Sequence, residues 1–209
     1  MFTSRTEFYW NSFYKKANTV AKPSDFARFV LKKIKKTPGS LLDVGCGNGR
    51  DTFFFLQNKI NATGCDQSSL VIKKNNKLKK SFSKLNFCKS KINLKNNIDF
   101  FYARFFLHAI SSKEEKIFFD NIKKNTYFSC KIFLEFRTDR DPLMSQGKYL
   151  SKYERLTDHY RRFINVDSFK KRVKKKKFKI LFLKIGNKFA IFKDDKPDIC
   201  RVILSYKKK

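Results

Sequence analysis

Asp43, Gly45, Gly47 and Gly49 alternate in the stretch Leu41-Leu42-Asp43-Val44-Gly45-Cys46-Gly47-Asn48-Gly49, and a further carboxylate, Asp66, stands seventeen positions after the last glycine. Residues of these types at this spacing bind a ligand rather than break a bond. Glycines two apart let a ligand approach the backbone where side chains would hold it off. A carboxylate closing the next strand can accept hydrogen bonds from both hydroxyls of a ribose. The dinucleotide fingerprint is G-x-G-x-x-G, with the pyrophosphate on a helix N-terminus. Here the order is D-x-G-x-G-x-G, which suits a ligand without phosphates and argues against NAD.

The elements that must position these residues are readable on either side. Residues 40–44 are a short apolar run, expected as a buried strand. Residues 50–58 carry Phe53, Phe54, Phe55 and Leu56 ahead of polar residues, as a helix packed on a sheet would. A second strand is expected over 60–65, ending in Asp66. Strand, glycine turn, helix and strand make the first half of a nucleotide-binding βαβ unit.

At this point the sequence resembles a known family. "LLDVGCGNGR" followed by "ATGCDQS" is similar to the first two motifs of class I S-adenosylmethionine (SAM)-dependent methyltransferases. Within that family "GCGNGRDT" resembles the small bacterial enzymes of tellurite-resistance and thiopurine type, and methyltransferases found with surface-polysaccharide genes. The resemblance covers most of the chain. It implies a Rossmann-like α/β fold: a seven-stranded, mostly parallel sheet with helices on both faces and an antiparallel C-terminal strand. It implies SAM as cofactor, held by Asp43, Gly45, Cys46, Gly47, Asn48, Gly49, Arg50, Asp66 and Gln67. The family also places an Asp after the third strand, expected here over 85–88, to bond the adenine amino group. This sequence offers Lys89, Ser90 and Lys91 instead, so Ser90 or a backbone carbonyl is the candidate adenine contact.

Composition bounds the alternatives. A chain of 209 residues holds one α/β domain of ordinary size. A net charge of +31 ordinarily points to nucleic acid. Its source, however, is 38 lysines against 11 arginines scattered along the whole length. The lysine runs within 32–36, 77–84 and 170–179 read as solvated helix faces that attract acidic substrates. Nucleic acid is therefore the less favoured partner. Five isolated cysteines without a C-x-x-C indicate neither a disulfide framework nor a metal site. The chain begins without the apolar core of a signal peptide and has no stretch fit to span a membrane, so a cytoplasmic location is expected.

Helices are expected over 7–17, capped by Thr6, and over 24–36, capped by Ser24. By the resemblance, residues 1–37 form a helical lid across the cofactor mouth, with Tyr14, Ser24 and Arg28 as lid candidates. The competing reading is that Trp10, Phe13, Phe26 and Phe29 only cover the sheet. A helix follows Ser68 or Ser69, and a fourth strand is expected over 98–102. Beyond it Arg104 and His108 lie where an open α/β sheet places its reaction centre. They are the catalytic candidates; the alternative for His108 is a helix-start residue bonded to backbone. The D/N/S-P-P-Y/F motif of base-amine methylation is missing, as is a cysteine after proline, which leaves oxygen, sulfur or a small amine as the methylated atom.

The pattern Ser111 or Ser112 with Glu114 or Glu115 predicts a capping box, with Ile117, Phe118 and Ile122 as the buried stripe. A fifth strand is expected over 131–136, then a polar insertion over 137–165. Arg137, Tyr149, His159, Tyr160, Arg161 and Arg162 are its candidate acceptor contacts, because a guanidinium fork binds two oxygens of a carboxylate or phosphate at once. Salt bridges from these arginines to Asp139, Asp141 or Asp158 are the equal alternative. A last helix over 167–177 and strands over 178–184 and 199–206 close the chain, with 189–193 extending or re-pairing the sixth strand. The expected protein is one SAM-dependent methyltransferase domain acting on a small polar, anionic or sugar-type acceptor. An RNA methyltransferase and a non-catalytic SAM-binding module are the alternatives.

Overall fold

The computed structural model describes residues 8–12, 14–15, 22–89, 92–94, 96–191 and 195–208. Thr6 and Ser90 fall outside them. Seven strands form the main sheet: β1 (Ser40–Val44), β2 (Asn61–Asp66), β3 (Phe82–Lys84), β4 (Phe100–Arg104), β5 (Ser129–Arg137), β9 (Lys179–Gly186) and β10 (Ile199–Lys207). Their order is β3-β2-β1-β4-β5-β10-β9. Only β10 runs against its neighbours, pairing antiparallel with both β5 and β9. The order reverses between β1 and β4, and a crevice at that reversal, beyond the carboxyl ends of the strands, is where such sheets bind ligands.

Alternation along the strands gives the sheet two apolar faces. On one, Leu41, Phe100, Tyr102, Phe133 and Ile203 pack against Phe26, Val30 and Ile34 of α1 (Asp25–Ile34) and Phe55 of α2 (Arg50–Gln57). On the other, Phe101, Ile132, Leu134 and Val202 meet Phe118, Phe119 and Ile122 of α4 (Ser112–Lys124) and Phe169 and Val173 of α5 (Val166–Lys175). Each fully buried phenyl ring contributes about 1.5–3 kcal/mol. The caps are as the residue types dictate. Ser24 accepts from the Ala27 N–H, Ser68 opens α3 (Ser69–Leu78), and Ser111 with Glu114 makes the reciprocal capping box.

The structure corrects three local expectations. The third strand is Phe82–Lys84, pairing with Gly64–Asp66 of β2, while 85–88 form a loop whose Phe87 plugs the core. Burial of that ring, not pairing, explains the apolar run. Residues 189–191 carry no strand. Ile117 is only partly buried and lines the cleft; Phe119 takes its place in the helix stripe. The polar insertion carries structure of its own: β6 (Lys148–Ser151), β7 (Glu154–Leu156) and β8 (Tyr160–Arg162) form a separate antiparallel sheet. Short strands with few apolar residues gave it little period-2 signal.

Candidate active site

A cleft of about 1400 Å³ opens at the carboxyl ends of β1, β2, β4 and β5. Its floor on the β1 side is the glycine loop. Gly45, Gly47 and Gly49 have φ of +73°, +52° and +76°, a region that costs any residue with a Cβ about 1 kcal/mol or more. Space is closed as well: a Cβ on Gly45 would lie 2.6 Å from the Phe106 ring, and one on Gly47 would strike the Tyr14 hydroxyl. The backbone of this loop is thereby kept bare. Asn48 and Arg50 line the cleft with it.

Asp66 closes β2 at the same level. One of its oxygens accepts from the Gly47 N–H at 3.1 Å and the other from the Ser68 N–H at 2.9 Å. The Gln67 backbone N–H also acts on this carboxylate, and since each oxygen has two acceptor sites, acceptor capacity remains for a ligand hydroxyl. Burial raises the Asp66 carboxyl above the usual carboxylate range, and the backbone donors oppose that shift. Asp43, the other carboxylate here, is fully buried and accepts from the Thr52 hydroxyl at 2.7 Å. Burial, with Asp51 nearby, pushes it up to about 8. That hydrogen bond ties the end of β1 to α2, and Asp43 also lines the cleft. Cys46 is a buried thiol raised far above its ordinary value by burial, and serves as a small apolar side chain. Gln67 lines the cleft and accepts from Asn86 at 3.0 Å. These residues fit SAM: a bare backbone cradle, a hydroxyl-accepting carboxylate at the end of β2, and no anion cradle for a pyrophosphate in the glycine spacing.

On the β4–β5 side the expectations divide. Arg104 lines the cleft, with its Nε donating to Glu135 at 2.9 Å. His108 is 3% exposed, and its Nδ1 accepts the Arg137 backbone N–H at 3.2 Å. The ring proton of the neutral form therefore sits on Nε2, and burial beside Arg137 lowers its pKa well below the ordinary value. That is the backbone-bonded alternative. That bond ties the ring to the end of β5 and occupies Nδ1, while His108 also lines the cleft.

The acceptor candidates are likewise split. The Arg137 guanidinium is buried between Asp141, at 2.8 Å, and Asp195. Arg162 is turned away from the cleft: its Nη2 meets Glu115 at 2.5 Å and the Leu107 carbonyl at 3.1 Å. Tyr149 is exposed, with the Arg155 guanidinium over its ring, and stands outside the cleft. Arg162 and Tyr149 are thus corrected from acceptor contacts to structural and surface residues. His159, Tyr160 and Arg161 do line the cleft. His159 packs against the Tyr9 and Trp10 rings, and burial beside Arg161 lowers it to about 4. Asp158 ties this rim together, accepting from the Tyr9 hydroxyl at 2.6 Å and from Arg161 at 2.9 Å. Of the lid candidates, Tyr14 and Ser24 line the cleft, whereas Arg28 is exposed over Phe54.

Sequence reasoning missed Glu135 and Arg201. They face one another on β5 and β10, and Arg201 Nε donates to Glu135 at 2.6 Å. The available signal was a charged residue inside each of two apolar strands, "IFLEF" and "ICRVIL".

The comparisons with known proteins agree with this geometry. A family model described as "Methyltransferase domain" matches residues 15–182. The chain belongs to that family and is a SAM-dependent methyltransferase. A SAM-dependent methyltransferase from Clostridium acetobutylicum superposes with a TM-score of 0.69 at 13% identity, covering 88% of this chain and 91% of that one. The glycopeptide N-methyltransferase MtfA, in its complex with SAM, gives a TM-score of 0.68 at 13% identity, with 88% and 94% covered. TehB from Haemophilus influenzae gives 0.65 at 17% identity, with 96% and 67% covered. No curated protein matches the chain significantly. No helix of the described residues is long and apolar enough to cross a membrane.

Proposed function

We propose that this methyltransferase acts on a small polar acceptor carrying negative charge, on oxygen or sulfur, with an acidic sugar-type precursor of a surface polysaccharide as the favoured class. The observation that carries this reading is the lining of the cleft beyond the glycine loop, which includes Arg104, Arg161 and Arg201. Bound SAM would supply an electrophilic methyl group. Asp43, the 45–50 loop, Asp66 and Gln67 are the residues proposed to hold it. Ser90, expected at the adenine, lies outside the described residues. The chain would work as one domain in the cytoplasm, with residues 1–37 as lid and 137–165 shaping the acceptor side.

Because a sulfonium methyl is already activated, alignment of the two reactants can supply most of the acceleration, roughly 7–11 kcal/mol. Tyr9, Trp10 and Tyr14 cover the cofactor side and exclude water, while Arg104 and the Arg161 rim orient the acceptor. His159 is neutral at pH 7 and beside the cleft, and is the better-placed histidine to receive a proton from a hydroxyl or thiol.

The test is calorimetry with SAM, S-adenosylhomocysteine and NAD, followed by transfer from labelled SAM to uronic acids, small thiols and total RNA. Binding of both sulfur ligands without NAD, and label on an acidic small molecule, is the expected result. Label on RNA that survives physiological salt would favour the RNA reading, which the charge of +31 motivates.

A further inference from the structure

Three neighbouring strands carry a charged row at the cleft edge of the sheet, near the carboxyl ends of β4 and β5 and the amino end of the antiparallel β10. Arg104 on β4 is paired in register with Glu135 on β5, and Glu135 with Arg201 on β10. The preceding row on the same face, Tyr102, Phe133 and Ile203, is core. The charged row is therefore the first layer beyond the apolar packing, and all three members line the cleft.

Glu135 engages each arginine through Nε alone, Arg104 at 2.9 Å and Arg201 at 2.6 Å. The Nη groups of both find no hydrogen-bond partner among the described residues, although Arg201 is only 8% exposed. Neither arginine has an Nη atom among the buried unpartnered ones of the described residues, so these outer ends face the open cleft, where a ligand oxygen can replace solvent. Each guanidinium also lies over an aromatic ring, with Arg104 Cζ 4.2 Å from the Phe105 centroid and Arg201 Cζ 4.2 Å from that of Phe189. Phe105 holds this place with a left-handed φ of +55°. Strain kept at a cleft wall is a mark of a positioned site.

We propose that Arg104 and Arg201, held apart by Glu135 and lying over Phe105 and Phe189, form a clamp that binds a carboxylate of the acceptor. Their Cα atoms are two strand spacings apart, roughly 10 Å, which leaves room for a group to enter between the guanidinium ends. Two arginines and one glutamate sum to a single positive charge. That matches a carboxylate rather than a phosphate monoester, which carries about 1.5–2 negative charges at neutral pH. Arg137 does not compete for the role, since Asp141 and Asp195 already neutralise it. The clamp rests on the methyltransferase acceptor reading above and narrows it to carboxylic acids.

The experiment is binding to the full chain saturated with S-adenosylhomocysteine, at physiological salt to screen the surface lysines. Probes are acid and amide pairs of one skeleton: glucuronate and glucuronamide, succinate and succinamide, benzoate and benzamide, with glucose 6-phosphate alongside. At least one acid should bind about tenfold tighter than its amide. Arg104→Met and Arg201→Met should each remove that preference while S-adenosylhomocysteine affinity stays the same, and Lys116→Met on an exposed face should change nothing. Should Arg201→Met fail to fold because Glu135 is stranded, the Glu135→Gln, Arg201→Met double variant, uncharged at both positions, should fold and show the same loss. Acids that bind no better than amides, or whose preference survives both arginine variants, overturn the clamp. Tighter, arginine-dependent binding of the sugar phosphate overturns the carboxylate. Failure of S-adenosylhomocysteine itself to bind would instead strike the cofactor reading, and the clamp with it.

Discussion

The two ends of the cleft are built on different principles. At the β1–β2 end, the work is done by backbone: three glycines within five residues, closed to any Cβ, and one carboxylate held by two N–H groups. At the β4–β5 end, it is done by side chains paired over long distances in the chain, such as Arg104 with Glu135, Glu135 with Arg201, and Arg137 with Asp195. A site made of backbone tolerates almost no substitution but needs few partners. A site made of ion pairs depends on strand register, and the loss of one member strands another.

That contrast predicts where each end breaks. The largest effect is expected at Arg137→Ala, which leaves Asp141 buried without its partner and should cost about 3–5 kcal/mol of stability by chemical denaturation. SAM affinity of the folded protein should be unchanged; a parallel loss of SAM binding would mean that the two ends are not separable. Next comes Gly45→Val, which combines a strained φ with the Phe106 contact. It should weaken SAM binding by about 100-fold, or ~2.7 kcal/mol, in calorimetry. Asp66→Ala should lose about 1–3 kcal/mol of SAM affinity, and no loss there would remove the ribose assignment.

A pH titration sharpens the comparison further. With Asp43 raised to about 8 in the folded chain, the native state keeps a proton that the unfolded chain has already lost above about pH 4. Stability from this group is fully present below that value and falls as pH rises towards 8, by at most ~1.4 kcal/mol per pH unit. Asp43→Asn should flatten that part of the profile. An unchanged slope would place the titrating group elsewhere.

The same contrast explains what could be read from the chain alone. The β1 strand, the glycine loop, Asp66 and the Ser24, Ser68 and Ser111 caps are local: residue type and spacing within a few positions determine them. Glu135 and Arg201 are 66 residues apart, and only the antiparallel return of β10 brings them together. Arg162 was misplaced for the same reason. Its partner Glu115 belongs to α4, and nothing near Arg162 in the sequence signals that pairing. The 85–88 run failed differently, because an apolar loop that plugs a core and a buried strand share one composition.

The hydrogen bond from Tyr9 to Asp158 joins residues 149 apart across the rim of the cleft. A contact that is present whether or not the cleft is filled cancels from the equilibrium constant, since it stabilises free and bound protein alike. If ligands must part this rim to pass, however, the contact is broken in the transition state for exchange, and its strength goes into the barrier. The rim then governs residence time. Tyr9→Phe, which removes a bond of about 0.5–1.5 kcal/mol, should speed both arrival and departure of S-adenosylhomocysteine several-fold in stopped-flow measurements and leave its Kd where it was.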